Sequence, residues 1–254
     1  MARLQDKVVI ITGAGSGMGR SMANLFASEG AKVVAAEFRE EFLNDVLAEI
    51  KDAGGEVTGV LGDVSKDEDC RRIVQTAIDT YGKLDGLCNN AGIMDNFAGP
   101  ADVDDAILQK VFAVNVFGPT YMTRAALPHM CNDCGGSIVN SASIAGIGGG
   151  AAGTAYTMSK HAVIGLTRNT AFQYAKQGVR CNAMAIGAVK TNIMENSALG
   201  MDQKGLDIAQ GWLALAPAYL EPKDIADLAL FLLSDDARSI TGAVINADAG
   251  WTCV

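Results

Sequence analysis

Seven short runs rich in β-branched residues, at 7–11, 32–36, 57–61, 84–88, 137–140, 180–184 and 243–246, alternate with longer amphipathic stretches. Strands separated by helical segments imply right-handed crossovers and a parallel sheet covered on both faces. The fold class is therefore α/β, a doubly wound, seven-stranded parallel sheet in one domain. Nothing repeats at solenoid length, and no Pro-rich or charged linker divides the chain. The irregular stretch is 187–220, where Met, Trp and polar residues mix without clean helix boundaries.

Composition narrows the functions open to such a fold. With 254 residues, 49% of them hydrophobic, the chain can bury a large core as one domain. No run approaches the roughly 18 uncharged apolar residues that span a bilayer. Met1-Ala2-Arg3-Leu4-Gln5-Asp6 leads directly into a strand with no signal-peptide core, so a cytoplasmic protein without a membrane partner is expected. A net charge of -9 and a pI near 4.7 repel phosphate backbones, which excludes nucleic acid and requires any dinucleotide to be held by local dipoles. Six cysteines without a secretory signal read as reduced thiols. Cys131-Asn132-Asp133-Cys134 leads through Gly135-Gly136 into a strand, which reads as a helix-to-strand loop; His129 and His161 share no metal-ligand spacing with the cysteines, so no metal is assigned.

The first strand runs into Thr12-Gly13-Ala14-Gly15-Ser16-Gly17-Met18-Gly19, and a helix follows from about Met18. Three separated glycines are more than one tight turn requires. They let backbone N–H groups approach a pyrophosphate at the partly positive helix amino terminus. Glu37 ends the second strand, where a carboxylate can accept ribose hydroxyls and would repel a 2′-phosphate, favouring NAD over NADP. The neighbouring Arg39 softens that preference. Asp63-Val64 ends the third strand and Asn90-Ala91-Gly92 follows the fourth, all on the carboxyl edge where ligands of open α/β sheets bind.

Tyr156 and Lys160 are four residues apart on one helical face, and Ser143 precedes Tyr156 by thirteen residues, just past a strand end. A phenol with a pKa near 10 is a poor base at neutral pH, and a neighbouring ammonium is expected to favour its phenolate. Ser143 can donate a hydrogen bond to the oxygen whose carbon exchanges hydride. Pro119 has no N–H, so the carbonyl of Asn115 four residues earlier lacks its usual helix donor.

With these motifs assembled, the chain resembles the short-chain dehydrogenase/reductase family over essentially its whole length. The resemblance rests on Thr12-Gly13-x-x-x-Gly17-x-Gly19, Asn89-Asn90-Ala91-Gly92, Asn115, Ser143 and Tyr156-x-x-x-Lys160. It implies a single NAD(P)-binding Rossmann domain over 1–254 with a substrate lid at about 188–220, assembled as a homotetramer or homodimer. It also implies that Tyr156 is the catalytic acid/base, that Ser143 polarises the substrate oxygen, that Lys160 also holds the nicotinamide ribose, and that Asn115 supports a proton relay. Ser16, Met18 and Val64 fall among the implied cofactor contacts, and Val189 and Thr191 match the segment that meets the carboxamide. Three departures stand out: Ile186-Gly187 where Pro-Gly is usual, Ser141-Ala142-Ser143 in place of adjacent serines, and Asp248-Ala249-Gly250 in place of Asp-Gly-Gly.

Met194, Leu199, Met201, Leu206, Ile208, Trp212 and Leu213 make the lid segment apolar, which suits a small-molecule secondary alcohol or ketone such as a hydroxysteroid or bile acid. A 3-oxoacyl-[acyl-carrier-protein] reductase is the alternative. It must dock an acidic carrier, yet 125–136 has no Lys or Arg, leaving Arg124, Arg168 and Lys176 nearby. A non-catalytic dinucleotide sensor is the alternative of another class, and the intact Asn115, Ser143, Tyr156 and Lys160 argue against it.

Overall fold

A computed structural model describes residues 2–132, 135–193 and 200–253 of the chain. The strands are β1 (Val8–Thr12), β2 (Lys32–Glu37), β3 (Glu56–Leu61), β4 (Gly86–Asn89), β5 (Gly136–Ser141), β6 (Val179–Ile186) and β7 (Val244–Ala247). The helices are α1 (Gly17–Ser28), α2 (Glu40–Asp52), α3 (Asp67–Tyr81), α4 (Asp105–Phe112), α5 (Gly118–Asn132), α6 (Thr154–Tyr174), α7 (Gln203–Leu213) and α8 (Pro222–Leu233). The strands form one parallel sheet in the order β3-β2-β1-β4-β5-β6-β7.

Successive residues of β1 serve opposite faces, as strand geometry demands. Val9 and Ile11 join Met22, Phe26, Val46, Ile50 and Leu230 under α1, α2 and α8. Val8 and Ile10 join Ile73, Val74, Met122 and Met130 under α3 and α5. Both faces are therefore covered, which is why β1 is buried throughout.

Three local expectations are revised. Leu84 and Asp85 lie outside β4, whose pairing begins at Gly86. Cys131 sits in the last turn of α5 and not in a loop, while Asp133 and Cys134 lie outside the described residues. β6 runs on through Ile186, paired with Ala247, so the isoleucine that stands in place of proline extends the strand and the chain leaves the sheet at Gly187. No helix among the described residues is long and apolar enough to cross a membrane.

Candidate active site

β1 has β2 on one side and β4 on the other, so the strand order reverses beside it and a crevice opens at the carboxyl ends of the strands. A cavity of about 490 Å³ lies there, lined among others by Gly13, Ser16, Gly17, Met18, Glu37, Asp63, Val64, Asn90, Ala91, Gly92 and Thr191. Residues from four strand ends and the first turn of α1 thus converge. Gly19 lies just behind this surface. A Cβ there would stand 1.9 Å from the Gly13 carbonyl oxygen, so only glycine lets α1 start against the turn.

Glu37 is buried and turned toward the glycine loop. Its Oε2 accepts the Gly15 N–H at 2.9 Å, and its Oε1 accepts the N–H groups of Phe38 and Arg39 at 3.0 and 3.2 Å. The carboxylate is thereby fixed in the cavity wall, while the Arg39 guanidinium lies over the Phe42 ring, 3.7 Å from its centroid. Asp63 also lines the cavity, with Oδ1 accepting the N–H and hydroxyl of Ser65 at 2.9 and 2.7 Å. Asn90 is a brace as well as a lining residue: its amide donates to the carbonyls of Thr12 and Gly13 at 3.1 and 3.3 Å. Thr12, which the sequence reading left without a role, receives the N–H groups of Asn90 and Ala91 on its hydroxyl, both at 3.0 Å. Val189 bridges to Leu220 and packs against the core, and Thr191 two residues on lines the cavity.

At the inner end, Ser143 follows β5 and Tyr156 and Lys160 share one face of α6. Lys160 Nζ donates to the Ser141 carbonyl at 2.8 Å and sits 5.3 Å from the Tyr156 ring centroid. It also approaches Gly92, where a Cβ would lie 3.6 Å from it and 3.4 Å from Asn115 Oδ1. Burial pushes the Tyr156 phenol up to about 12, with a hydrogen bond to Ser143 pulling back and the charge of Asp95 pushing further. Burial brings Lys160 down to about 8. The expected lowering of the phenol by its lysine neighbour is thus corrected: desolvation dominates both groups, and the phenol stays protonated at neutral pH.

Asn115 is almost fully buried, its side chain tied to the loop after β4. Its Nδ2 donates to the Ile93 carbonyl at 2.9 Å and to Ser159 Oγ at 3.2 Å, and its Oδ1 accepts the Ile93 N–H at 2.9 Å. The backbone here is a π-type turn over Ala113–Phe117, closed by the Gly118 N–H on the Ala113 carbonyl. Pro119 thus follows a widened turn and not regular α-helix, a local geometry that often marks functional sites. Beneath it a buried polar strip crosses the sheet: Asn89 donates to Asn140 at 2.8 Å, and Asn140 to Thr167 of α6 at 2.8 Å.

The segment after β6 closes this end. Leu206, Ala209 and Leu213 of α7 pack with Met94, Phe97, Ala145 and Tyr156 in one apolar cluster. Trp212 stacks on Trp251, with ring centroids 6.1 Å apart, whereas Ile208 and Met201 are exposed. Met194 and Leu199 lie outside the described residues. Asp95, absent from the sequence reading, is buried beside Tyr156 and accepts three backbone N–H groups. No periodicity or motif flags it, since its partners lie up to 61 residues away.

A 3beta-hydroxysteroid dehydrogenase 2 of Eggerthella lenta is 39% identical over 253 residues, spanning 98% of this chain and 96% of that protein. A short-chain dehydrogenase/reductase of Talaromyces verruculosus is 35% identical across the full length of both chains. A family model described as enoyl-(acyl carrier protein) reductase matches residues 13–252. The chain belongs to the short-chain dehydrogenase/reductase family. Among solved structures, levodione reductase superposes with a TM-score of 0.91 at 34% identity, covering 99% of this chain and 100% of that one.

As a short-chain dehydrogenase/reductase, the chain is an oxidoreductase acting on CH–OH groups, in a family that typically uses a nicotinamide dinucleotide. Its residues fit that cofactor. The glycine turn and first turn of α1 offer main-chain donors and a helix amino terminus to phosphates, and an anchored carboxylate stands where ribose hydroxyls need an acceptor. Among the described residues no group of three or more His, Cys, Asp and Glu is placed to hold a metal ion.

Proposed function

We propose that this short-chain dehydrogenase/reductase is NAD-dependent and interconverts a secondary alcohol and a ketone on an apolar substrate of the hydroxysteroid or bile-acid kind. The observation that carries this reading is Tyr156, buried in an apolar cluster completed by α7, with Lys160 Nζ 5.3 Å from its ring centroid and Ser143 among the polar groups acting on its hydroxyl. The name of the Eggerthella lenta relative agrees with a steroid substrate. On this reading 188–220 is the lid, Gly13, Ser16, Gly17, Met18, Gly19, Glu37, Asp63, Val64, Asn90, Ala91, Gly92, Val189 and Thr191 form the cofactor site, and Lys160 also meets the nicotinamide ribose.

When bound, the dinucleotide supplies the acceptor for the hydride that leaves the carbinol carbon, or its donor in reverse. Ser143 donates a hydrogen bond to the substrate oxygen. Tyr156 takes the hydroxyl proton at its phenolic oxygen during oxidation and returns it to the ketone oxygen during reduction. With its phenol up near 12, Tyr156 is in the donating form at neutral pH, so oxidation speeds up as pH rises. Lys160, brought down to about 8, holds an exchangeable proton beside Gly92 and Asn115, where the relay is placed. Pro119, with no N–H to offer the Asn115 carbonyl four residues before it, supports that carbonyl's role in the relay. α7 excludes water from the pair through Leu206, Ala209 and Leu213.

The anchored Glu37 carboxylate supports NAD, because a 2′-phosphate would enter against it. The carrier-protein reductase alternative is weakened by Arg124, which is paired with Asp67 and packed on the Tyr121 ring. Free thiols at Cys70, Cys88, Cys131, Cys181 and Cys253 suit the cytoplasm. On the family resemblance this reading includes assembly as a homotetramer or homodimer. The deciding experiment is turnover of Tyr156→Phe on hydroxysteroids, acyl thioesters and simple secondary alcohols. Hydride transfer is expected to drop by about 10²–10⁴ with NADH still bound. A dinucleotide sensor would show no turnover in either form, and preference for an acyl thioester would turn the assignment to the carrier-protein enzyme.

A further inference from the structure

The helix that carries Tyr156 has no capping side chain of its own. Its N-cap is Gly153, and the first four N–H groups of any helix lack internal partners. Asp95, from the loop that follows Gly92, supplies the missing acceptors. Its Oδ1 takes the Gly153 N–H at 3.1 Å and the Phe97 N–H at 3.0 Å, and its Oδ2 takes the N–H of Tyr156 itself at 2.8 Å. The Ala98 carbonyl takes the Thr154 N–H at 2.9 Å. Asp95 is 1% exposed, so these charge-assisted bonds act without competing water.

The same loop grips α7. The Asn96 carbonyl accepts the Asp202 N–H at 2.8 Å, and a Cβ on Gly205 would stand 1.8 Å from the Phe97 oxygen. Phe97 has φ +69°, an uncommon conformation for a bulky residue, and its N–H is held by Asp95. One carboxylate thus ties the first turn of α6 to a loop that also fixes the start of α7.

We propose that Asp95 is a positioning residue, setting Tyr156 against Ser143 and registering α7 to the same frame through Asn96 and Phe97. The proposal rests on Tyr156 being the proton-transfer group. Among the described residues the charged and hydrogen-bonding groups acting on the phenol are Asp95 from the loop, Ser143 from the end of β5 and Lys160 on its own helix, and α7 packs Leu206, Ala209 and Leu213 against the same cluster. Among the described residues Asp95 is the one anion in this set, and its charge opposes the phenolate.

Asp95→Asn, nearly isosteric, and Asp95→Ser, smaller and still an acceptor, remove the charge by two routes. Both are expected to lower kcat about ten- to a hundredfold, as small displacements of a reacting group do, while NADH is bound within about twofold of the parent affinity. Loss of the anion also lowers the phenol's pKa, so the rising limb of the oxidation pH profile moves to lower pH. A lower Tm with kcat and the limb unchanged would show a purely structural role and overturn the proposal. Loss of NADH binding in both variants would overturn it too, assigning Asp95 to the fold. Tyr156→Phe separates the two ideas: if it stays active, the reading of Tyr156 fails, whereas an inactive Tyr156→Phe beside unaffected Asp95 variants removes the positioning role alone.

Discussion

At the β1–α1 end the cavity is shaped by main chain against main chain, while at the α6–α7 end it is shaped by side chains that reach across the sheet. Around Gly13 and Gly19 the limiting contacts are carbonyls and Cα atoms, which cannot rotate away. Around Tyr156 the constraints are the carboxylate of Asp95, the amide of Asn115, the ammonium of Lys160 and the rings of Trp212 and Trp251. The first end tolerates almost no added atom, and its distant partners, Asn90 and Ala91, come from a single neighbouring strand end. The second depends on residues far apart in sequence, so it can be adjusted in steps.

Gly19→Ala breaks this contrast most severely. With the Gly13 oxygen 1.9 Å from the new Cβ, helix and turn must separate, and overpacking of about 1–3 kcal/mol weakens NADH binding roughly 10- to 100-fold. Gly165→Ala in α6, where a Cβ meets nothing within 4 Å, is the matched control and is expected to leave binding unchanged. Fluorescence titration of NADH compares the two. Equal affinities would mean that main-chain packing does not set the cofactor end.

The next effect is in cofactor choice. Glu37→Ala removes the carboxylate anchored by the Gly15 N–H, and the ratio of kcat/KM for NAD over NADP is expected to fall at least about tenfold, or 1.4 kcal/mol. An unchanged ratio would mean that the carboxylate does not read the 2′ position. The position of Glu37 at the end of β2 was legible because strand pattern and glycine turn place it by counting alone; the same counting found the seven strands, whereas Asn115 entered through the family resemblance. Asp95 was not legible, because its three donors belong to a loop and to a helix about sixty residues on. The direction of the Tyr156 shift was not legible either: spacing reports that a lysine is near, whereas burial, which sequence spacing does not measure, sets the larger effect and raises the phenol.

Trp251→Ala gives the smallest and most selective effect. Trp251 is 4% exposed, lies just before the chain's end, stacks on Trp212 and donates its Nε1–H to the Trp212 carbonyl at 3.1 Å. It therefore grips the last turn of α7 and is not among the residues lining the cavity. Removing it costs α7 an aromatic pair of about 0.5–1.5 kcal/mol, so KM for the alcohol substrate is expected to rise roughly two- to tenfold. NADH affinity and the pH limb of Tyr156 should stay where they are, because α1, Glu37 and Asp95 keep their contacts. A loss of NADH affinity as large as the rise in KM would show that the two ends of the cavity are one cooperative unit, and the division between main-chain and side-chain control would fail.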